Sequence, residues 1–174
     1  MAQAVELLRE ERRRKLRVRE SFRAGLAHFR NGRGEAERFY LACADYLVAG
    51  QRRLIDQDRR LVDILAPRVP AGQAEDHAAI QALRGRLDLA ASSLADFERA
   101  VEDYRREGAA GRAGFESAAD RFLDVLINVL GARSHALQHL TRALLKEEDW
   151  QRIVAATPES TGAEAARYAE VSSA

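Results

Sequence analysis

The sequence predicts an all-α fold, an antiparallel up-down-up-down four-helix bundle with a short C-terminal helix. Apolar residues recur at steps of three and four along four long segments, which is the period of amphipathic helices. Alanine, leucine, arginine and glutamate dominate these segments, and all four are strong helix formers. The prolines, Pro67, Pro70 and Pro158, lie where this period has stopped. We therefore expect no strand and short connections between antiparallel neighbours.

Helix one is predicted over about residues 3–30 and is the least apolar of the four helices. Its apolar positions are Val5, Leu8, Leu16, Phe22, Leu26 and Phe29. Arg12 and Arg19 interrupt this face. The segment Asn31-Gly-Arg-Gly34 predicts the end of the helix, because asparagine and glycine accept the left-handed conformation of a helix terminus.

Helix two is predicted over about residues 35–66 and helix three over about residues 75–107. The apolar positions of helix two are Tyr40, Cys43, Leu47, Leu54, Leu61 and Leu65. Those of helix three are Ile80, Leu83, Leu87, Ala90, Leu94, Phe97, Val101 and Tyr104. The positions in helix three alternate steps of three and four without a break, which is a heptad seam typical of bundle packing.

Helix four is predicted over about residues 115–146, after a glycine-rich turn. Its apolar positions are Phe115, Ala119, Phe122, Leu126, Val129, Leu137, Leu140 and Leu144. Thr157-Pro158 is typical of a helix N-terminus, with threonine as the cap and proline in the first turn. We therefore expect one bundle domain over residues 1–156 and a C-terminal tail with a short helix over residues 157–174.

Composition disfavours several classes of protein. The net charge of +1 gives no overall field toward nucleic acid or an anionic membrane. No apolar run approaches the roughly 18–20 residues of a membrane span, and no signal peptide is recognised. The single cysteine, Cys43, allows no internal disulfide. No glycine-rich phosphate loop or paired nucleophile and base is found. We therefore expect a cytoplasmic protein that is not an enzyme and has no catalytic residues.

His135 and His139 are the most notable candidates for a functional site. A spacing of four places two imidazoles on one helix face, where they can chelate one metal ion. At about 1.5 Å per residue, Asp58 on helix two lies level with this pair, and His77 lies within a turn or two of it. Asp58 also borders an apolar stripe, where a carboxylate needs a partner.

The direction in which these histidines project from helix four argues against a metal site inside the bundle. At about 100° per residue, both histidines project away from the main apolar stripe, together with Asp120, Asp124 and Asn128. A kink or bulge near Gly131 would rotate the lower half of the helix toward the core. Without that change of phase, the histidines point to water.

Four short segments between about residues 50 and 155 resemble the hemerythrin-like family of four-helix bundles. Ile55-Asp-Gln-Asp-Arg-Arg-Leu-Val-Asp-Ile-Leu65 is similar to the family's Ile-Asp-x-Gln-His-x-x-Leu helix, with Asp58 at the place of the histidine. Asp76-His77-Ala-Ala-Ile-Gln-Ala-Leu resembles the Glu-His segment that opens a later helix. His135-Ala-Leu-Gln-His139 resembles the His-x-x-x-Glu helix, and Glu148-Asp-Trp-Gln-Arg-Ile153 the closing segment.

The resemblance implies a non-haem iron centre inside the bundle that binds oxygen or senses oxidants. Carried over by position, its metal ligands are Asp58, His77, His135 and His139. The two-iron centre of the family uses more histidines than these. A mononuclear site, a different metal, and a bundle that has lost its metal are therefore open alternatives.

A metal-free interaction or regulatory protein is the second hypothesis. The heptad seam of helix three and the incompletely apolar helix one favour a helical protein partner or a homodimer. Helix one also carries a basic cluster between Arg9 and Arg23, which phosphate binding would need. Glutamates intersperse this cluster and no aromatic side chains interleave for base stacking. The sequence therefore disfavours nucleic acid as the partner.

Overall fold

The computed structural model describes residues 2–30, 36–130, 137–155 and 161–174, with side chains over 10–30, 36–129, 137–155 and 163–174. All regular secondary structure in these ranges is helical, which confirms the predicted all-α class. None of the described helices combines the length and the apolar character that crossing a membrane requires.

The first three helices have nearly the predicted bounds. They are α1 (Ala2–Phe29), α2 (Glu37–Leu65) and α3 (Ala74–Glu107). The turn predicted at Asn31 to Gly34 lies outside the described residues.

Proline and glycine end α2 and α3. Pro67 lies in a 3-10 turn, Ala66–Arg68, directly after α2, because proline lacks the backbone N–H that would continue the helix. Gly108 follows α3 with a φ of 58°. Glycine adopts this left-handed conformation without a steric penalty.

The predicted fourth helix is divided. A 3-10 turn (Gly108–Gly111) leads into α4 (Arg112–Asp124), and a π-helix (Val125–Leu130) continues α4. The chain then forms α5 (Gln138–Leu144), α6 (Glu147–Val154) and α7 (Thr161–Ser173). Residues 131–136, which include Gly131, and residues 156–160, which include Thr157 and Pro158, lie outside the described ranges. The single helix predicted over residues 115–146 is therefore not continuous, since Leu145 has extended backbone.

Contacts between sequential long helices show that they run antiparallel. Residue numbers rise along α2 as their partners' numbers fall along α3 in three ion pairs, Asp45–Arg105, Arg52–Glu98 and Arg59–Asp88. The rings of Phe97 and Tyr104 on α3 stack on Phe122 and Phe115 of α4 in the same reversed order, with centroids 4.5 and 4.8 Å apart. The described turns between these helices are short, and short connections favour antiparallel packing of the helices that they join.

The buried side chains form two clusters. The larger one is aromatic and takes Phe22 from α1, Tyr40 from α2, Phe97 from α3 and Phe115 from α4. The smaller one lies at the other end of α2 and consists of Val62, Leu65, Val69, Ile80, Leu87, Leu137 and Leu140. Between the aromatic end and the second cluster, α2 buries three polar side chains, Gln51, Arg53 and Gln57.

A buried carboxylate docks α7 on α1 and α2. Glu164 is 3% exposed and accepts hydrogen bonds from Arg14 Nε at 3.0 Å, Arg14 Nη2 at 2.6 Å and Tyr46 Oη at 2.5 Å. One turn later, the ring of Tyr168 packs on that of Tyr46 with centroids 5.9 Å apart, and Val171 packs on the aromatic cluster. The C-terminal tail therefore contains a docked helix, held by one face.

We expect Glu164→Gln to lower the free energy of unfolding by about 1–3 kcal/mol, because the half-buried Arg14 and the buried Tyr46 hydroxyl lose a charged acceptor. Urea unfolding measures this change, and hydrogen exchange should show faster exchange of the α7 amides. The matched control is Glu170→Gln, an exposed glutamate on the same helix. Equal effects of the two substitutions would contradict the docking role of Glu164.

Candidate functional site

The structure places the predicted metal ligands in different surroundings. Asp58 is half-buried in α2, and the cations that act on it are Arg12 and Lys15 of α1. His77 lies in the first turn of α3, with its Nε2 3.3 Å from the carbonyl oxygen of Pro70. His135 lies outside the described residues.

Among the three predicted ligands that the structure describes, His139 is the one that contacts a second metal-ligating side chain. Its Nε2 lies 2.8 Å from Oδ1 of Asp76 on α3, and its side chain is 62% exposed. Asp120, Asp124 and Asn128 are also exposed, as the helical phase predicts. The π-helix does supply an irregularity just before Gly131. Even so, His139 remains on the solvent side.

The described residues therefore do not fit a two-iron centre. Within residues 10–30, 36–129, 137–155 and 163–174, no group of three or more histidine, cysteine, aspartate or glutamate side chains could hold a metal ion. Asp58 interacts with the cations Arg12 and Lys15 of α1, whereas His139 contacts Asp76. Residue counting estimates how far along the bundle a residue lies. Metal ligands must in addition point toward one another, and the count does not test this.

A different polar cluster lies between α1 and α2, and we call it the polar seam. It consists of Glu11, Lys15, Gln51, Arg53 and Asp58. Lys15 Nζ donates to Gln51 Oε1 at 2.5 Å and to the carbonyl oxygen of Gly50 at 3.3 Å. Arg53, 5% exposed, donates from Nε to Oε1 of Glu11 at 2.8 Å.

Burial shifts both ionisable ends of the seam toward their neutral forms. Desolvation lowers the pKa of Lys15 to about 7, with Arg53 and Arg12 acting in the same direction and Glu11 and Asp58 opposing it. Desolvation also raises the pKa of Asp58, and its two neighbouring cations oppose that rise. Lys15 is half-buried as a residue, but its amine end lies inside the seam, which is why the desolvation dominates.

Gln51 is left with one unsatisfied group. The residue is 1% exposed, and among the described residues its buried Nε2 has no hydrogen-bond partner, although its Oε1 accepts from Lys15. A buried donor without an acceptor is costly, so such groups call for an explanation. The polar seam therefore contains an amine with a pKa of about 7 and a buried amide whose N–H donor has no acceptor among the described residues.

The opposite face of α1 is cationic and exposed. Arg12, Arg13, Arg17 and Arg23 are all exposed there. Leu16 lies among them and is 43% exposed, a large exposed hydrophobic residue. No ion pair within the described residues engages Arg13, Arg17 or Arg23, whereas exposed arginines of α2 and α3 such as Arg52, Arg59, Arg99, Arg105 and Arg106 are paired with carboxylates.

The sequence prediction was wrong about Leu16, which was expected in the core. Within residues 10–29 of α1, the buried positions are Val18, Phe22 and Leu26. Lys15 lies three residues before Val18 and seven before Phe22, a spacing that places it on the inner face. The same count applied to α2 puts Gln51 midway between Leu47 and Ile55. The helical period therefore places Lys15 and Gln51 on buried faces of their helices, provided that the buried face of helix one is defined by Val18.

Comparisons with protein-family models, with characterised proteins and with solved structures give no significant match.

We expect the pKa of Lys15 to be visible as a dependence of stability on pH. The unfolded lysine, with an ordinary pKa near 10.5, binds more protons than the folded one between about pH 7 and pH 10.5, so stability rises with pH across this window. Relative to Lys15→Met, we expect wild type to gain roughly 3 kcal/mol between pH 7 and pH 10, from about 1.4 kcal/mol per pKa unit less an allowance for partial exposure.

Urea unfolding of both proteins in CO2-free buffer over this pH range measures the difference, in which the tyrosines and Cys43 cancel. A difference between the two proteins that does not change with pH would show that the Lys15 amine titrates as it does in water.

Proposed function

We propose that this chain is a helical interaction protein whose α1 binds an acidic protein partner through its outer face. As part of this proposal, we infer that α1 to α4 act as an up-down-up-down four-helix scaffold. The single observation that carries the proposal is the exposed Leu16 close to Arg13, Arg17 and Arg23, none of which forms an ion pair with a described residue. The proposal corresponds to the metal-free alternative that the sequence left open.

Charge and shape together favour a protein as the occupant. Arg12, Arg13, Arg17 and Arg23 outnumber the two exposed carboxylates on this face, Glu10 and Glu20. Arginine is enriched in protein interfaces, where its planar guanidinium binds carboxylates by two hydrogen bonds. One leucine supplies an apolar anchor that such cations can surround. We therefore expect a partner segment with carboxylates around a small apolar pocket or ridge.

The docking of α7 gives an intramolecular example of the same chemistry. Glu164 binds Arg14 of α1 with two hydrogen bonds, and apolar contacts of Tyr168 and Val171 accompany them. A carboxylate-bearing helix is thus already a ligand of α1 on the flank next to its outer face. This supports an acidic helix as the external ligand.

Nucleic acid is the less favoured partner. The face carries no aromatic side chain on which a base could stack. It offers four guanidinium groups within about three turns of helix, which is enough for a local contact but not for an extended phosphate track.

Metal binding is separate from this proposal. The pair of His139 and Asp76 is the observation that bears on it, and the ligand set implied by the resemblance, Asp58, His77, His135 and His139, stays a prediction. Iron, zinc and manganese quantified per chain in protein purified without a histidine tag test it directly.

We expect a photo-crosslinking amino acid at Leu16, introduced in cells that express the protein, to form a discrete protein adduct. The matched position is Leu89 on α3, which is 50% exposed. We expect no discrete adduct there. The combined change Arg13→Glu and Arg17→Glu should abolish the adduct from Leu16, because the face then repels carboxylates. With the isolated partner, Leu16→Ser should weaken binding about tenfold.

The identity of the adduct decides between partners. The proposal requires that the crosslinked peptide of the partner be rich in aspartate or glutamate. A nuclease-sensitive adduct, an adduct with a second copy of the chain, or equal labelling from Leu16 and Leu89 would each contradict it.

A further inference from the structure

The distribution of lysine in the chain is unusual. The sequence has 26 arginines but two lysines, Lys15 and Lys146. Arginine keeps its proton under all physiological conditions, whereas a desolvated lysine becomes a neutral amine and a nucleophile. Lys146 is exposed, while the amine of Lys15 lies in the polar seam. Lys15 therefore places in the polar seam an amine that can lose its charge, which an arginine at the same position could not do.

The amide of Gln51 is positioned to bind a product formed on this amine. Its Oε1 is 2.5 Å from Lys15 Nζ, so it accepts an N–H of the amine. Its Nε2, on the same planar group, is a buried donor with no acceptor among the described residues. A group attached to Nζ that carries an acceptor on the same side as the remaining N–H would satisfy both ends of the amide.

We propose that Lys15 is a carbamate-forming site for CO2, with Gln51 as the group that binds the carbamate. A carbamate has two equivalent oxygens on carbon, and one of them always lies on the same side as the N–H. The N–H then donates to Gln51 Oε1 while that oxygen accepts from Gln51 Nε2. The two hydrogen bonds close one ring between the two planar groups and satisfy the donor that the amine alone leaves unpartnered.

The step is balanced without a further reactant. The lone pair of the neutral Nζ forms a bond to the carbon of CO2, and one C=O π pair moves onto oxygen. The nitrogen then loses one proton to solvent, which leaves an anionic carbamate with one N–H. No electron transfer is involved, and the same steps in reverse, protonation of the carbamate nitrogen and cleavage of its bond to carbon, return the amine and CO2.

The charged groups that face Nζ act on an anion there in both directions. From α1 these are Glu11 and Arg12, and from α2 they are Arg53 and Asp58. Glu11 and Arg53 are bound to each other and largely offset one another. Arg12 stabilises an anion at Nζ and Asp58 opposes it, so the two hydrogen bonds to Gln51 are the interaction that favours the carbamate.

Burial also keeps the amine reactive at neutral pH, since the pKa of Lys15 falls to about 7. CO2 is small and uncharged, and Lys15 is half-buried, with its Cδ near Gly50. Neither Lys15 nor Gln51 belongs to the outer face of α1, so the two proposals have separate tests, although both require the observed rotation of α1 and Arg12 lies near both sites.

Carbon-13 NMR of the intact protein in ¹³C-labelled bicarbonate and CO2 at pH 7.5 tests the site. We expect a saturable carbamate resonance that disappears in Lys15→Met and persists in Lys146→Met. The carbamate of the α-amino group gives a separate signal and serves as the positive control within each sample. Circular dichroism verifies that each variant remains helical.

Gln51→Leu separates carbamate binding from simple amine reactivity. We expect it to weaken apparent CO2 affinity at Lys15 about tenfold, because two hydrogen bonds to the carbamate are lost. Gln57→Leu, at another buried glutamine of α2, should leave that affinity unchanged. Identical spectra of wild type and Lys15→Met, or equal effects of the two glutamine substitutions, would overturn the proposal.

Discussion

Burial of Val18, Phe22 and Leu26 fixes the rotation of α1 about its own axis, and the rest of the account depends on that rotation. These three side chains are 0–2% exposed and pack into the aromatic cluster. Once they point inward, the helical period leaves no freedom for their neighbours. The amine of Lys15 must enter the seam with α2, and Leu16 must face outward among the arginines.

Close packing and α7 hold α1 in this rotation. A Cβ at Gly25 would overlap the ring of Phe39, so glycine lets α1 approach α2 closely. Arg14 lies on the flank of α1 and is bound by the buried Glu164 of α7. The aromatic contacts bury apolar surface, which stabilises the packing of α1. The ion pair selects one rotation, because other rotations would leave both charges without their partners.

How well the buried face of each helix could be predicted from the sequence depends on whether its apolar stripe is interrupted by polar residues. The heptad seam of α3 was predicted in full, and all its positions except Leu83 are buried, because its apolar stripe has no interruption. On α1, arginines interrupt the apolar stripe. The sequence therefore predicts Leu16 on the buried side, whereas it is exposed. The contact of Asp58 with Arg12 and Lys15 did not follow from residue counting, since it depends on the rotation of α1. The π-helix widens the turn locally, and no apolar period indicates where this happens.

The rotation of α1 is tested most directly by thiol reactivity in a background that carries Cys43→Ala, so that each variant has one cysteine. Leu16→Cys and Val18→Cys place the thiol on opposite sides of the same helix within one turn. The account predicts that under native conditions the Leu16→Cys protein reacts with a thiol reagent nearly as fast as after unfolding. It predicts strong protection for the Val18→Cys protein. Protection of position 16 with fast reaction at position 18 would contradict the account, and both proposed sites would lose their basis.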